Sequence, residues 1–235
     1  NTIGSTIARE VADGGTYIHA GPEIGVASTK AFTNMLGVLF LLSVQIGRTR
    51  NLSEEDGRAL LTGLTELPKV LEEQLGQRKK IAAMAAHYPD TKDAFYLGRG
   101  LAYPMALEAA LKLKEISYVH AEAYPAGEMK HGPIALVEPS LLAVFLAPKN
   151  SLYEKTKSNL EEIRAREGSI LALTTEGNTE LDALADHVIT VPNVQEAMEP
   201  FAMTVPLQLF AYEMAVARKQ DVDKPRNLAK SVTVE

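Results

Sequence analysis

The chain of 235 residues contains no cysteine and no tryptophan. Without thiols there is no disulfide scaffold, no thiol nucleophile and no cysteine-ligated metal, and a reducing, cytoplasmic setting is the default expectation. Positive charge is in deficit, with 24 Lys and Arg against 30 Asp and Glu and a formal net charge of -6. No general attraction to nucleic acid or an anionic membrane is available, so neither is expected as a partner and any anionic ligand must be held locally. Long apolar runs are also lacking. The longest, Met35 to Ile46, is interrupted by Gly37, Ser43 and Gln45. It falls short of the ~20 residues that span a bilayer and is expected to be a buried helix. Neither H-E-x-x-H nor G-x-x-x-x-G-K-[ST] occurs, and Gly98-Arg99-Gly100 is too short for a nucleotide fingerprint. No metal and no cofactor is therefore expected. The first residues, Asn1-Thr2-Ile3-Gly4, show neither a starting Met nor a signal-peptide layout, which reads as a piece of a longer chain.

What remains is the composition of an ordinary globular protein, 46% hydrophobic and 23% charged, long enough for one large domain or two small ones. Thr16 to Ala20 reads as a short strand running into the glycine-bearing loop Gly21-Pro22-Glu23-Ile24-Gly25. From Ser28 the residues Ala31, Met35, Val38, Leu39 and Leu42 recur at helical spacing up to Gly47. Ser53-Glu54-Glu55-Asp56 resembles a capping box, and a second amphipathic helix follows through Leu75, with a kink expected at Pro68. Beyond Gly76 the pattern becomes α/β: a short helix (Lys79 to His87), a strand at Asp93 to Leu97, a glycine turn and a helix from Met105 to Tyr118. Further strands are expected at Leu142 to Ala147, Ile170 to Thr174 and His187 to Val191, with a helix from Ser151 to Glu167 between the first two. Continuous apolar strands of this kind belong to a parallel sheet covered by helices on both faces. A last helix, Pro200 to Lys219, is expected to pack Phe201, Val205, Leu209, Tyr212 and Val216, and residues 221 to 235 have no period.

Chemistry concentrates in four places. On the helix Met105 to Tyr118, which is expected to bury Leu107, Ala110, Leu111 and Leu113, Glu108, Lys112 and Glu115 share one face. They form either a solvated ion-pair face or a carboxylate base steered by a nearby ammonium, and periodicity does not decide between the two. Val119 to Pro133 is dense in ionisable groups and confined by Gly and Pro, which suits a site loop, and His131 within it suits proton transfer near neutral pH as well as a surface position. Glu23 to Lys30 offers amides and the hydroxyls of Ser28 and Thr29 at a helix start, as an anion or polyol site or as an N-cap. In the tail, Lys230 suits Schiff-base chemistry if lifted out of water.

Taken together, Glu23-Ile24-Gly25-Val26-Ala27-Ser28-Thr29-Lys30-Ala31-Phe32, Ala110 to Tyr118, His120-Ala121-Glu122-Ala123, Lys130-His131-Gly132-Pro133 and Pro225 to Glu235 resemble, in order and spacing, the C-terminal part of the glucosamine-6-phosphate synthases, the glutamine:fructose-6-phosphate amidotransferases. The resemblance covers the whole chain. It implies an isomerase region of two sugar-isomerase (SIS) subdomains with a flavodoxin-like parallel sheet: residues 1 to 76 as the last part of the first, 77 to 220 as the second, and 221 to 235 as an active-site tail. In that family, open-chain fructose-6-phosphate receives ammonia at C2 and a proton moves between C1 and C2, giving glucosamine-6-phosphate. By matched motif, Glu115 is the base for that transfer, His131 assists ring opening from the neighbouring subunit of a homodimer, and Lys230 forms the imine. Val26, Ser28, Lys112 and the backbone of Ala229 would line the sugar pocket. The family's glutaminase domain and the phosphate loop of its first subdomain have no counterpart in this sequence. Two other readings of the same module are a phosphosugar sensor without chemistry and a glutamine-independent isomerase or deglycase. A sensor needs pocket residues but not Glu115, His131 and Lys230 together, and the tail Ser-Val-Thr-Val-Glu favours the synthase over the isomerase.

Overall fold

The continuous apolar runs of the second half become the strands of one parallel sheet. The computed structural model describes residues 4–11 and 14–230. After a short π-helical turn (Ile7–Val11) come three α-helices: α1 (Lys30–Arg48), α2 (Glu54–Leu75) and α3 (Arg78–Ala85). There follow β1 (Asp93–Gly98), α4 (Ala102–Ser117), β2 (His120–Pro125), β3 (Leu142–Ala147), α5 (Tyr153–Arg164), β4 (Ser169–Thr175), β5 (His187–Val191) and α6 (Glu199–Ala217). The strand order is β2-β1-β3-β4-β5, every pair parallel. That order is flavodoxin-like and doubly wound, the sheet type that the family resemblance implies.

Alternate strand residues serve opposite faces. Ala94, Tyr96, Val144, Leu146, Leu171 and Leu173 join the core under α3, α4 and α6. Phe95, Leu97, Phe145, Ile170 and Ala172 join a second core with Leu160 and Ile163 of α5. Where β1 turns into α4 the backbones nearly touch: a Cβ on Gly98 would lie 2.6 Å from the carbonyl oxygen of Ala102. Gly98→Ala should therefore push strand and helix apart and cost about 1–3 kcal/mol, the usual scale of overpacking. A denaturant midpoint unchanged from wild type would show that the turn yields without strain.

Several expectations are corrected. Thr16 to Ala20 is not a strand; no described strand lies beside it, the Ile18 carbonyl accepts the Asn34 side-chain N–H at 2.8 Å, and His19 turns to φ 49°. The segment Val119 to Pro133 is not all loop, because its first half forms the edge strand β2. On α4, Ala110 and Leu113 are buried as expected, whereas Leu107 and Leu111 face outward. Helix α1 is not buried, and its expected face is turned away: Phe32, Leu36 and Phe40 pack inward while Met35, Leu39 and Leu42 are exposed. Its 19 residues also extend the run read from sequence, so that by length and composition α1 alone among the described helices could cross a membrane. Helix α6 buries Phe201 but also Ala202, Met203, Leu207, Phe210, Ala211 and Met214, while Val205, Leu209 and Tyr212 are half-buried and Val216 is exposed. A helix covered on nearly every side carries no single apolar stripe for periodicity to find.

Other expectations hold. Ser53 caps α2 by accepting the Asp56 amide at 3.0 Å, as the capping box implies. The described part of the tail is held by named contacts: Pro225 is buried, the Arg226 amide donates to the Tyr118 hydroxyl at 2.8 Å, and the Arg226 guanidinium lies 4.1 Å from the centre of that ring. Ser231 to Glu235, part of the motif read from sequence, lie outside the described residues.

Candidate active site

A cavity of about 340 Å³ opens between the Pro22–Lys30 segment, α4, α6 and the start of the tail, lined by Glu23, Lys112, Ile116, Gln208, Tyr212, Val222 and Asp223 among others. Lys112 reaches it from the middle of α4, and its side chain is only 5% exposed. An ammonium so enclosed must be paired to be tolerated. Its partners are Glu115, in direct hydrogen-bond contact, and Glu108 at 3.6 Å. The reading of these three charges as a solvated face is thus excluded. Burial pushes the Glu108 carboxyl above its ordinary value, with Lys112 opposing and the Glu115 charge adding to the rise. Two carboxylates therefore share one cation, and Glu115 is the one in contact with it.

Across the cavity stands Glu23. Its Oε1 accepts the amides of Thr29 at 2.9 Å and Ala31 at 3.2 Å, so it caps α1, whose N-cap Thr29 makes no side-chain cap bond of its own. Its Oε2 accepts the Lys230 ammonium at 2.9 Å. Burial alone would raise this carboxyl, but the two amides and Lys230 outweigh it and hold it below its ordinary value. A second tie joins the same segments: the Val26 amide donates to the Asp223 carbonyl at 3.0 Å, and Gly25 passes so close that a Cβ would lie 3.2 Å from the Asp223 side chain.

The residues singled out from sequence are placed as follows. Lys112 lines the cavity, Glu115 touches Lys112, and Lys230 is tied to the cavity wall through Glu23. Val26 touches the tail through its backbone. Ser28 does not line the cavity; its Oγ is buried and finds no hydrogen-bond partner among the described residues. Ala229 is exposed beside Lys230. His131 is not brought to the cavity: it stands exposed at the end of the Ala126–His131 turn after β2, a turn tied to α5 by Lys130 and Glu162 at 2.9 Å. Glu23, Gln208 and Tyr212 were missed. Glu23 lies inside the Glu23 to Lys30 motif, whose amides and hydroxyls, rather than its carboxylate, are what the sequence brings forward.

The SIS domain family model matches residues 88–218, more than half of the chain. The chain belongs to the SIS domain family. The glutamine–fructose-6-phosphate aminotransferase (isomerizing) of Thermus thermophilus is 56% identical over 236 residues, which take in 100% of this chain and 39% of that protein. The Escherichia coli enzyme of the same name is 48% identical, over 100% of this chain and 38% of its own length. The chain therefore spans about two fifths of the curated relatives it matches. Among solved structures, the C-terminal domain of glucosamine-fructose-6-phosphate aminotransferase from Francisella tularensis superposes with a TM-score of 0.81 at 37% identity, covering 87% of this chain and 58% of that one. The stretch matched by the SIS model runs from just before β1 to just past α6. The cavity therefore has two SIS walls, α4 and α6, while its remaining walls, Pro22 to Lys30 and Val222 to Asp223, lie on either side of that stretch.

Proposed function

We propose that this chain is the isomerase region of a glutamine–fructose-6-phosphate aminotransferase, forming glucosamine-6-phosphate from fructose-6-phosphate and ammonia in a cytoplasmic enzyme. One observation carries the reading. Lys112, paired with Glu115, and Glu23, paired with Lys230, come from remote parts of the sequence yet line one sugar-sized cavity. With it go the assignments that the family resemblance implies, residues 1 to 76 as the end of one SIS subdomain, 77 to 220 as a second and 221 to 235 as the tail over the site.

In this reading His131 of a second subunit helps open the sugar ring, exposing the C2 carbonyl. The Lys230 amine, once neutral, adds to C2 and expels water to give an imine. Ammonia, delivered from a glutaminase domain in the full-length protein, displaces the lysine at C2. Glu115 takes a proton from C1 and returns it to C2, so that the C1 enol collapses to the aldehyde and the amine stays on C2. Lys112, beside Glu115, stabilises the negative charge that develops on the C1 side. Val26 and the Ala229 backbone, on the loop and the tail that close the site, complete the sugar contacts.

The exposure of His131 away from its own cavity supports a site shared across a homodimer. The test is a mixed dimer of full-length His131→Ala and Glu115→Gln subunits, assayed for glucosamine-6-phosphate from fructose-6-phosphate and glutamine. Each parent should be nearly dead, and each mixed dimer should regain up to about half the activity per site, since one of its two pockets receives both intact groups. Mixed dimers as inactive as their parents would refute the shared site, and a wild-type enzyme that makes no amino sugar would refute the function.

A further inference from the structure

The clasp between Glu23 and the tail goes beyond the roles assigned above. Glu23 uses its two oxygens differently: Oε1 is fastened by the Thr29 and Ala31 amides at the start of α1, which leaves Oε2 to face the tail and receive Lys230. The Glu23 side chain is 12% exposed while Lys230 is 42% exposed. A fixed, sheltered carboxylate thus holds a partly exposed cationic side chain beside the cavity that Glu23 itself lines. Between the two ties of this loop to the tail, Val26 to Asp223 and Glu23 to Lys230, the tail is further held by the Arg226 contacts on Tyr118.

We propose that Glu23 is a positioning residue for Lys230, holding its amine at the cavity mouth as an ion pair until a sugar carbonyl takes the carboxylate's place as partner. The proposal rests on the functional reading above and adds a residue to it. Lysine carries four rotatable carbons and strong hydration, so an unheld Lys230 would spend most of its time in water rather than near C2. The pair also fits the order of events. An ammonium hydrogen-bonded to a carboxylate has no free lone pair, so the resting tail is chemically idle, and the amine becomes a nucleophile only when it gives up a proton. Glu23, already in contact, is placed to accept that proton, leaving a neutral acid and a neutral amine with charge conserved.

A cap and a clasp make different predictions, which lets them be separated in the full-length enzyme. Glu23→Gln keeps an Oε1 acceptor for the two amides and loses the charge facing Lys230, whereas Glu23→Ala loses both. As a positioning residue, Glu23 leaves its mark in the yield of borohydride-trapped fructose-6-phosphate adduct on Lys230, measured at subsaturating time points. That yield should fall roughly threefold to tenfold in Gln and in Ala alike, the range set by a charged hydrogen bond that is partly exposed. The melting temperature should fall only in Ala. Because the pair is half in water, raising the salt concentration should lower trapping in wild type and leave it flat in Glu23→Gln. A Glu23→Gln enzyme that traps at the wild-type rate, with the same salt response, would overturn the proposal and leave Glu23 a helix cap. Absence of any adduct in wild type would instead overturn the functional reading, so the two failures are distinguishable.

Discussion

Glu115→Gln in the full-length enzyme should stop exchange between solvent and the C1 proton of bound fructose-6-phosphate while glutamine hydrolysis continues. The amide that replaces the carboxylate accepts a hydrogen bond but takes no proton, and loss of a general base costs about 10²- to 10⁴-fold. The concern with any charge removed next to a buried ammonium is the fold itself, since leaving Lys112 unpaired would cost several kcal/mol. The surroundings answer it. Glu108 lies 3.6 Å from Lys112, and its carboxyl is pushed up in part by the Glu115 charge. Neutralising Glu115 removes that repulsion, so Glu108 ionises more readily and remains the counter-ion. The Gln oxygen can still receive Lys112. Melting temperature should therefore change little while exchange collapses, and that contrast identifies a base rather than a packing residue. Exchange at a near-normal rate would remove Glu115 from the mechanism.

Parts of this arrangement could be read directly from the residues. Strands β3 and β4 were legible because burial on both faces makes Leu142–Ala147 wholly apolar and gives Ser169–Thr175 an apolar centre, each short enough and β-branched or aromatic enough to read as a strand between two turn signals. The edge strand β2 was hidden for the opposite reason: only Ala121 is fully buried, and His120, Glu122 and Tyr124 make it look like a polar loop. Helix α4 announced its charges, because Glu108, Lys112 and Glu115 share one face of a largely apolar helix, yet its apolar face was misjudged, since Leu107 and Leu111 point outward. Helix α1 was misjudged for a related reason: both of its sides are apolar, and spacing alone does not say which one the chain covers. The role of Glu23 was out of reach altogether. Its partner is 207 residues away, and no local pattern reports a contact created by the path of the tail across α4.

Lys230→Arg is the second large effect, and the clasp makes it a sharper experiment than a charge removal. Arginine retains the positive charge and can engage Glu23 with its planar fork, so the tail should stay seated and the Arg226 contact with Tyr118 should be untouched. What it lacks is a deprotonated form at neutral pH, and hence a lone pair to attack C2. Seating the tail has a real cost, roughly 1–2 kcal/mol of backbone entropy per ordered residue. That cost is offset by named contacts: the buried Pro225, the Asp221 side chain accepting the amides of Asp223 and Lys224 at 3.0 Å each, and the two ties to the Pro22–Lys30 segment. None of these depends on the amine being a nucleophile. Lys230→Arg should therefore keep the protease resistance of the tail, give no borohydride-trapped adduct with fructose-6-phosphate, and lose synthesis by roughly 10³-fold or more, the scale at which removing one member of a catalytic unit is felt. Recovery of the adduct on another lysine, or synthesis near the wild-type rate, would reduce Lys230 to a charged anchor for the tail and move the covalent step elsewhere.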